Sequence, residues 1–144
     1  MRCLSVVLSV IAVIFIEVCT TQVARGAARF PSPRRVLLSQ YQDKANGNSA
    51  IVMTRDNRKI LSECGINITI DERPVVILEP GEVFVAYVNA STHRLGARFP
   101  KQCKGRGENL DITTHPGKAL DVRIRYRPLL AGIFQTTGET DLAN

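Results

Sequence analysis

From Ala50 onward the apolar residues recur at every second position, and that regularity excludes most folds. Leu120, Val122, Ile124 and Tyr126 fall on one side, with Asp121, Arg123, Arg125 and Arg127 on the other. Ile66, Ile68 and Ile70 alternate with Asn67 and Thr69. A strand sends successive side chains to opposite faces, so this pattern buries one face and wets the other. No stretch after the N-terminal segment sustains a helical period with caps. Strands are expected at Ile51–Thr54, Ile66–Ile70, Val75–Leu78, Val83–Val88, Leu95–Phe99, Leu110–Ile112 and Leu120–Tyr126, with a last one within 129–135. Turn clusters at Asp56-Asn57-Arg58, Asp71-Glu72-Arg73, Glu79-Pro80-Gly81 and Pro116-Gly117 punctuate them. Pro74 marks its strand as an edge. The continuous apolar run Val83–Val88 marks a central strand. About seven short strands at roughly 8–12-residue spacing predict an all-β fold, a single antiparallel β-sandwich over residues 49–136.

The chain opens differently. Met1-Arg2 leads into the uncharged run Leu4–Ile16, followed by Glu17, a polar patch and Gly26-Ala27-Ala28. This is the order of a secretory signal, assigned to residues 1–28 as a signal helix. The apolar run is shorter than the ~20 residues a membrane-spanning helix needs. Cleavage after Ala28 or after Gly26 satisfies the small-residue rule. Retention of the segment, or lipidation at Cys19, would instead hold the domain at a membrane. The expected location is the periplasm or cell envelope, with the extracellular space as the alternative. Residues 29–48 read as a flexible lead broken by Pro31 and Pro33 and ending in the turn cluster Asn46-Gly47-Asn48, with Val36–Ser39 able to pair briefly. Residues 137–144 read as a flexible polar tail.

Setting the signal aside leaves Cys64 and Cys103, which in an oxidising compartment are expected to form one disulfide. Closing a loop of about 40 residues contributes roughly 3–4 kcal/mol. Without CxxC spacing, these cysteines with His93 and His115 make no familiar ligand set, so no metal and no cofactor is expected. The whole chain carries a net charge of +6. Arg94, Arg98, Lys101, Lys104, Arg106, Arg123, Arg125 and Arg127 would form a face for an anionic partner if their strands shared a sheet. The bland alternative is a solvated outer face. With aromatic residues at 6% and no tryptophan, a stacking platform for sugars or single-stranded nucleic acid is disfavoured, and no nucleic-acid partner is expected.

Catalytic candidates are few. His93 follows a turn, and Asp111 and Glu108 are merely available as partners. His115 precedes Pro116 in a turn. Ser49, Ser62 and Ser91 lack a nucleophile-elbow context. Asn67-Ile68-Thr69 and Asn89-Ala90-Ser91 match the glycosylation sequon, which is chance in a bacterial protein and usable in a eukaryotic one.

Ile68-Thr69-Ile70-Asp71, Pro74-Val75, Leu78–Phe84, Thr92-His93 and Pro116–Ile124 together resemble a bacterial envelope family, domain of unknown function 2846, over roughly residues 49–126. The resemblance implies a small β-sandwich of the transthyretin or carboxypeptidase-regulatory type, and it brings no catalytic residues. The chain departs from it at Glu72, where the family tends to carry glycine, and in lacking Pro-Gly before His93. The resulting expectation is an exported, non-enzymatic sandwich acting by protein or surface interaction in the envelope, as an accessory of a larger assembly. The alternatives are a small-ligand binder or enzyme centred on His93, and a secreted inhibitor or effector presenting the 100–108 loop.

Overall fold

The structure, a computed structural model, describes residues 28–57, 64–103, 105–125 and 134–142. Residues 1–27 of the expected signal segment, Cys19 among them, lie outside the described residues, as do Arg58, Ser62, Lys104, Tyr126, Arg127 and residues 129–133 of the expected last strand. Eight strands carry the fold: β1 (Ser49–Arg55), β2 (Ile66–Ile70), β3 (Arg73–Leu78), β4 (Val83–Val88), β5 (Thr92–Arg98), β6 (Glu108–Thr113), β7 (Lys118–Ile124) and β8 (Phe134–Asp141). They form two four-stranded sheets, ordered β4-β1-β7-β8 and β3-β2-β5-β6. The alternating residues do what their period dictates. Ile66, Ile68 and Ile70 of β2, Phe84 and Ala86 of β4, and Val122 and Ile124 of β7 are buried between the sheets. The all-β sandwich is therefore as expected.

Three details differ from the sequence reading. β1 pairs with β7 in parallel, so the first sheet is mixed and not purely antiparallel. The central strand of that sheet with both faces apolar is β1, where Ala50, Ile51 and Met53 are all fully buried. β4, expected as central, is an edge strand. Its run stays apolar because something covers its outer side: two 3-10 turns, Ser39–Gln42 and Lys44–Asn46, pack against it. β3 is the matching edge of the second sheet, as Pro74 indicated.

The expected lead takes a definite path across these two edges. The Val83 amide donates to the Arg29 carbonyl at 2.8 Å, and the Leu37 amide to the Val75 carbonyl at 2.8 Å. The segment thus ties β4 of one sheet to β3 of the other. Gly47 makes the close approach possible, because a Cβ there would collide with the Val88 backbone. At the opposite edge, residues 137–141 of the expected tail pair with β7 as part of β8.

A charged cluster closes one end of the sandwich. Arg35 donates to both carboxylate oxygens of the buried Glu82, each at 2.6 Å. Arg55, only 3% exposed, reaches from β1 to the carbonyls of Cys64 and Leu78, each at 2.6 Å. Burial pulls the Arg55 guanidinium down to about 10 against the opposing pull of Glu79 and Glu82. Beside it Cys64 is bonded to Cys103, with Cα atoms 6.2 Å apart, as expected. The bridge joins the chain entering β2 to the chain leaving β5.

Candidate functional site

His93 lies on the inward side of β5, in line with Leu95 and Ala97 and 9% exposed. Its partner is neither Asp111 nor Glu108. Nδ1 is 2.7 Å from Asp71 Oδ2 in the hairpin turn between β2 and β3. Nε2 is 2.8 Å from the Asn89 carbonyl and 3.1 Å from Ser91 Oγ. The antiparallel β2–β5 pairing sets Ile70 opposite Leu95, which brings Asp71 against the start of β5. There its other oxygen accepts the Arg94 amide at 2.9 Å. Burial would raise the Asp71 carboxyl. The His93 hydrogen bond, the Arg94 amide and the His93 charge outweigh it and hold the group below the usual range.

Ser91, His93 and Asp71 have the connectivity of a nucleophile, base and orienting carboxylate. In this structure Nε2 of His93 also has a second partner. A carbonyl oxygen only accepts, so the 2.8 Å contact to Asn89 requires Nε2 to carry a hydrogen. A nitrogen committed as donor cannot take the Ser91 proton. Two amides of the same loop are engaged as well. The Ser91 amide is given to Thr114 Oγ1 at 3.2 Å, and the Ala90 amide to Asn48 Oδ1 at 2.7 Å. The cluster instead pins the β4–β5 loop to the β2–β3 hairpin.

Beside this cluster opens a cleft of about 520 Å³. Gln40, Tyr41 and Asn46 of the lead form one wall, and Tyr87, Val88, Asn89, Ser91 and His93 the other. Nothing in the local sequence signals this cleft, because its two walls lie some 40 residues apart and meet only through the fold.

The basic residues do not converge. Arg94 and Arg98 belong to the second sheet and Arg123 to the first, with Arg125 just past the end of β7, so the basic residues are divided between the two sheets. Their charges are largely answered. Arg94 is paired with Asp111 at 2.7 Å, and Arg123 and Arg125 with Asp56 at 3.7 and 3.2 Å. Arg98 donates to the Ala97 and Glu108 carbonyls and to Asn109. Lys101 and Arg106 are exposed in the β5–β6 loop. His115, in its turn, pairs with Glu139 at 2.8 Å.

Among the described residues, no cluster of three or more His, Cys, Asp or Glu side chains is placed to hold a metal, and no helix is long and apolar enough to cross a membrane. Compared with family models, curated proteins and solved structures, the chain gives no match.

Proposed function

We propose that this chain is an exported, non-enzymatic β-sandwich that works by protein or surface interaction in the bacterial cell envelope, as the resemblance to domain of unknown function 2846 implies. The observation that carries the reading is the state of His93. The side chain best suited to acid–base chemistry has one ring nitrogen on Asp71 and the other on the Asn89 carbonyl, which makes it a structural pin. The Cys64–Cys103 bridge is compatible with an oxidising compartment. On this reading function falls to the surface, and the cleft between the lead and β4 is one place where that surface is concave and polar.

Two measurements test the proposal. The mature chain is sedimented with washed envelope fragments and is expected in the pellet; recovery entirely in the supernatant overturns the binding reading. The same protein is assayed on a chromogenic acetate ester and is expected to match buffer. Turnover that Ser91→Ala abolishes overturns the non-enzymatic reading.

A further inference from the structure

The cleft between the lead and β4 is unlike the rest of the surface. The chain has 19 Lys and Arg and 13 Asp and Glu, yet none of them lines this cleft; its titratable side chains are the two tyrosines and His93, which is bonded to Asp71. Its walls offer two phenols, from Tyr41 and Tyr87, and the amides of Gln40, Asn46 and Asn89. Asn46 is fixed in place by donating to the Gln40 carbonyl at 2.8 Å. The phenol hydroxyls and the Gln40 and Asn89 side-chain amides have no hydrogen-bond partner among the described residues.

An anion entering here meets no lysine or arginine on the walls, and His93, which is there, is already bonded to Asp71; a cation meets no carboxylate on the walls. Amides and hydroxyls both donate and accept, so they match a ligand whose groups also do both. Aromatic residues are few and tryptophan is absent, but two of the three tyrosines meet in this cleft. Their half-buried rings add apolar faces beside their polar tips, correcting the expectation from composition. A sugar ring presents that combination: hydroxyls around its rim and C–H groups on its faces. Size agrees, since ligand clefts run to about 300–1,000 Å³ and this one is about 520 Å³.

A second depression of about 670 Å³ shares Tyr87 and continues past Lys44, Asn48 and Gly117 to Leu142 and Asp141, whose carboxylate is paired with Lys118. Tyr87 therefore stands between two troughs, an arrangement for a chain of sugars longer than one ring.

We infer that this surface binds a neutral oligosaccharide, with Tyr87 between two sugar subsites and the Gln40 and Asn89 amides reading the hydroxyls of one of them. The inference rests on the interaction reading above and names its ligand class.

Titration calorimetry with maltotriose, cellotriose and triacetylchitotriose, each taken to about 10 mM, tests it against even millimolar sites. At least one trisaccharide is expected to bind, and Tyr87→Ala is expected to weaken it by roughly tenfold or more, on the order of what one good contact supplies. Because Tyr87 also packs against the lead, the double variant Gln40→Ala/Asn89→Ala is measured beside it; both of those side chains are exposed, so folding is not at stake. No binding by any of the three sugars, or binding that the double variant leaves unchanged, overturns the inference. The envelope sedimentation separates the two proposals. Retention without trisaccharide binding overturns the oligosaccharide assignment and leaves the interaction reading standing. Failure of retention overturns the interaction reading itself.

Discussion

Asp71 and Glu72 are the two non-glycine residues with positive φ among the described residues, at 49° and 66°. They are the central residues of the hairpin between β2 and β3, and the tight hairpin turn that follows the strand twist demands positive φ at both. For an ordinary L-residue that conformation costs roughly 1–2 kcal/mol. Asp71 offsets the cost with bonds to His93 and to the Arg94 amide. Glu72 is exposed and makes no hydrogen bond to offset its own. Glu72→Gly is therefore expected to stabilise the fold by about 1 kcal/mol, because glycine adopts this backbone without the Cβ clash. In a domain of this size that raises the thermal midpoint by roughly 4–8 °C. Thermal unfolding followed by circular dichroism checks it, and a lowered midpoint would show that the Glu72 side chain contributes something the geometry hides.

The elements tell how far the pattern of side chains could be read ahead of the structure. Turns were legible because their residues carry the conformation with them. Pro80-Gly81 and Pro116-Gly117 both place glycine at positive φ, 78° and 71°. Strand positions were legible from alternation, and Pro74 announced an edge. Strand neighbours were not, because pairing depends on which strands meet and not on any one strand's composition. That is why β4 looked central: its outer apolar face is covered by 3-10 turns from a segment whose prolines suggested looseness. The same gap hid the Asp71 partner of His93, 22 residues away, and dispersed the basic residues onto two sheets.

The lead's docking on β4 yields its own prediction. Gly47→Ala would drive a methyl group into the Val88 backbone, which cannot rotate away as a side chain can. A loss of about 1–3 kcal/mol is expected, the range for overpacking a fitted contact. Urea unfolding measures it. If the saccharide cleft is built by this docking, trisaccharide affinity falls in the same variant.

On the scale of the whole molecule, both sheets and the lead are locked together at one end. Glu82 is buried at that lock. Burial would raise its carboxyl, but the Arg35 pair, the Glu79 amide and the Arg35 and Arg29 charges outweigh it and hold it below its ordinary value. Asp71 is depressed in the same direction. A carboxyl depressed by folding stabilises the native state above its unfolded value, about 4, and loses that contribution as pH falls through the folded value. Stability is thus expected to be level from neutral pH to about 5 and to fall below about 4, with Asp71→Asn and Glu82→Gln each flattening the acid limb in urea titrations. Arg35→Ala at neutral pH leaves the Glu82 carboxylate buried and short of its main cation. The cost is about 3 kcal/mol, the low end for a broken buried pair because Arg35 keeps some solvent contact.

The disulfide sits at the same end and acts on the other side of the balance, by limiting the unfolded chain. Its sequence separation of 39 residues corresponds to about 3–4 kcal/mol. A domain of ordinary stability has only about 5–15 kcal/mol in total, so the bridge is a large share of it. Its loss also frees the Cys64 carbonyl from the position in which Arg55 holds it. Cys64→Ser/Cys103→Ser is therefore expected to lower the unfolding free energy by at least 3 kcal/mol relative to the oxidised protein, about the disulfide value alone. Urea midpoints with and without reductant are the check. Wild type under reductant should coincide with the double serine variant, while Arg35→Ala should subtract further from both, because the ion pair acts in the folded state and the bridge in the unfolded one. An unfolding curve indifferent to reductant would mean that the end of the sandwich is held by Arg55 and Glu82 without help from the bridge.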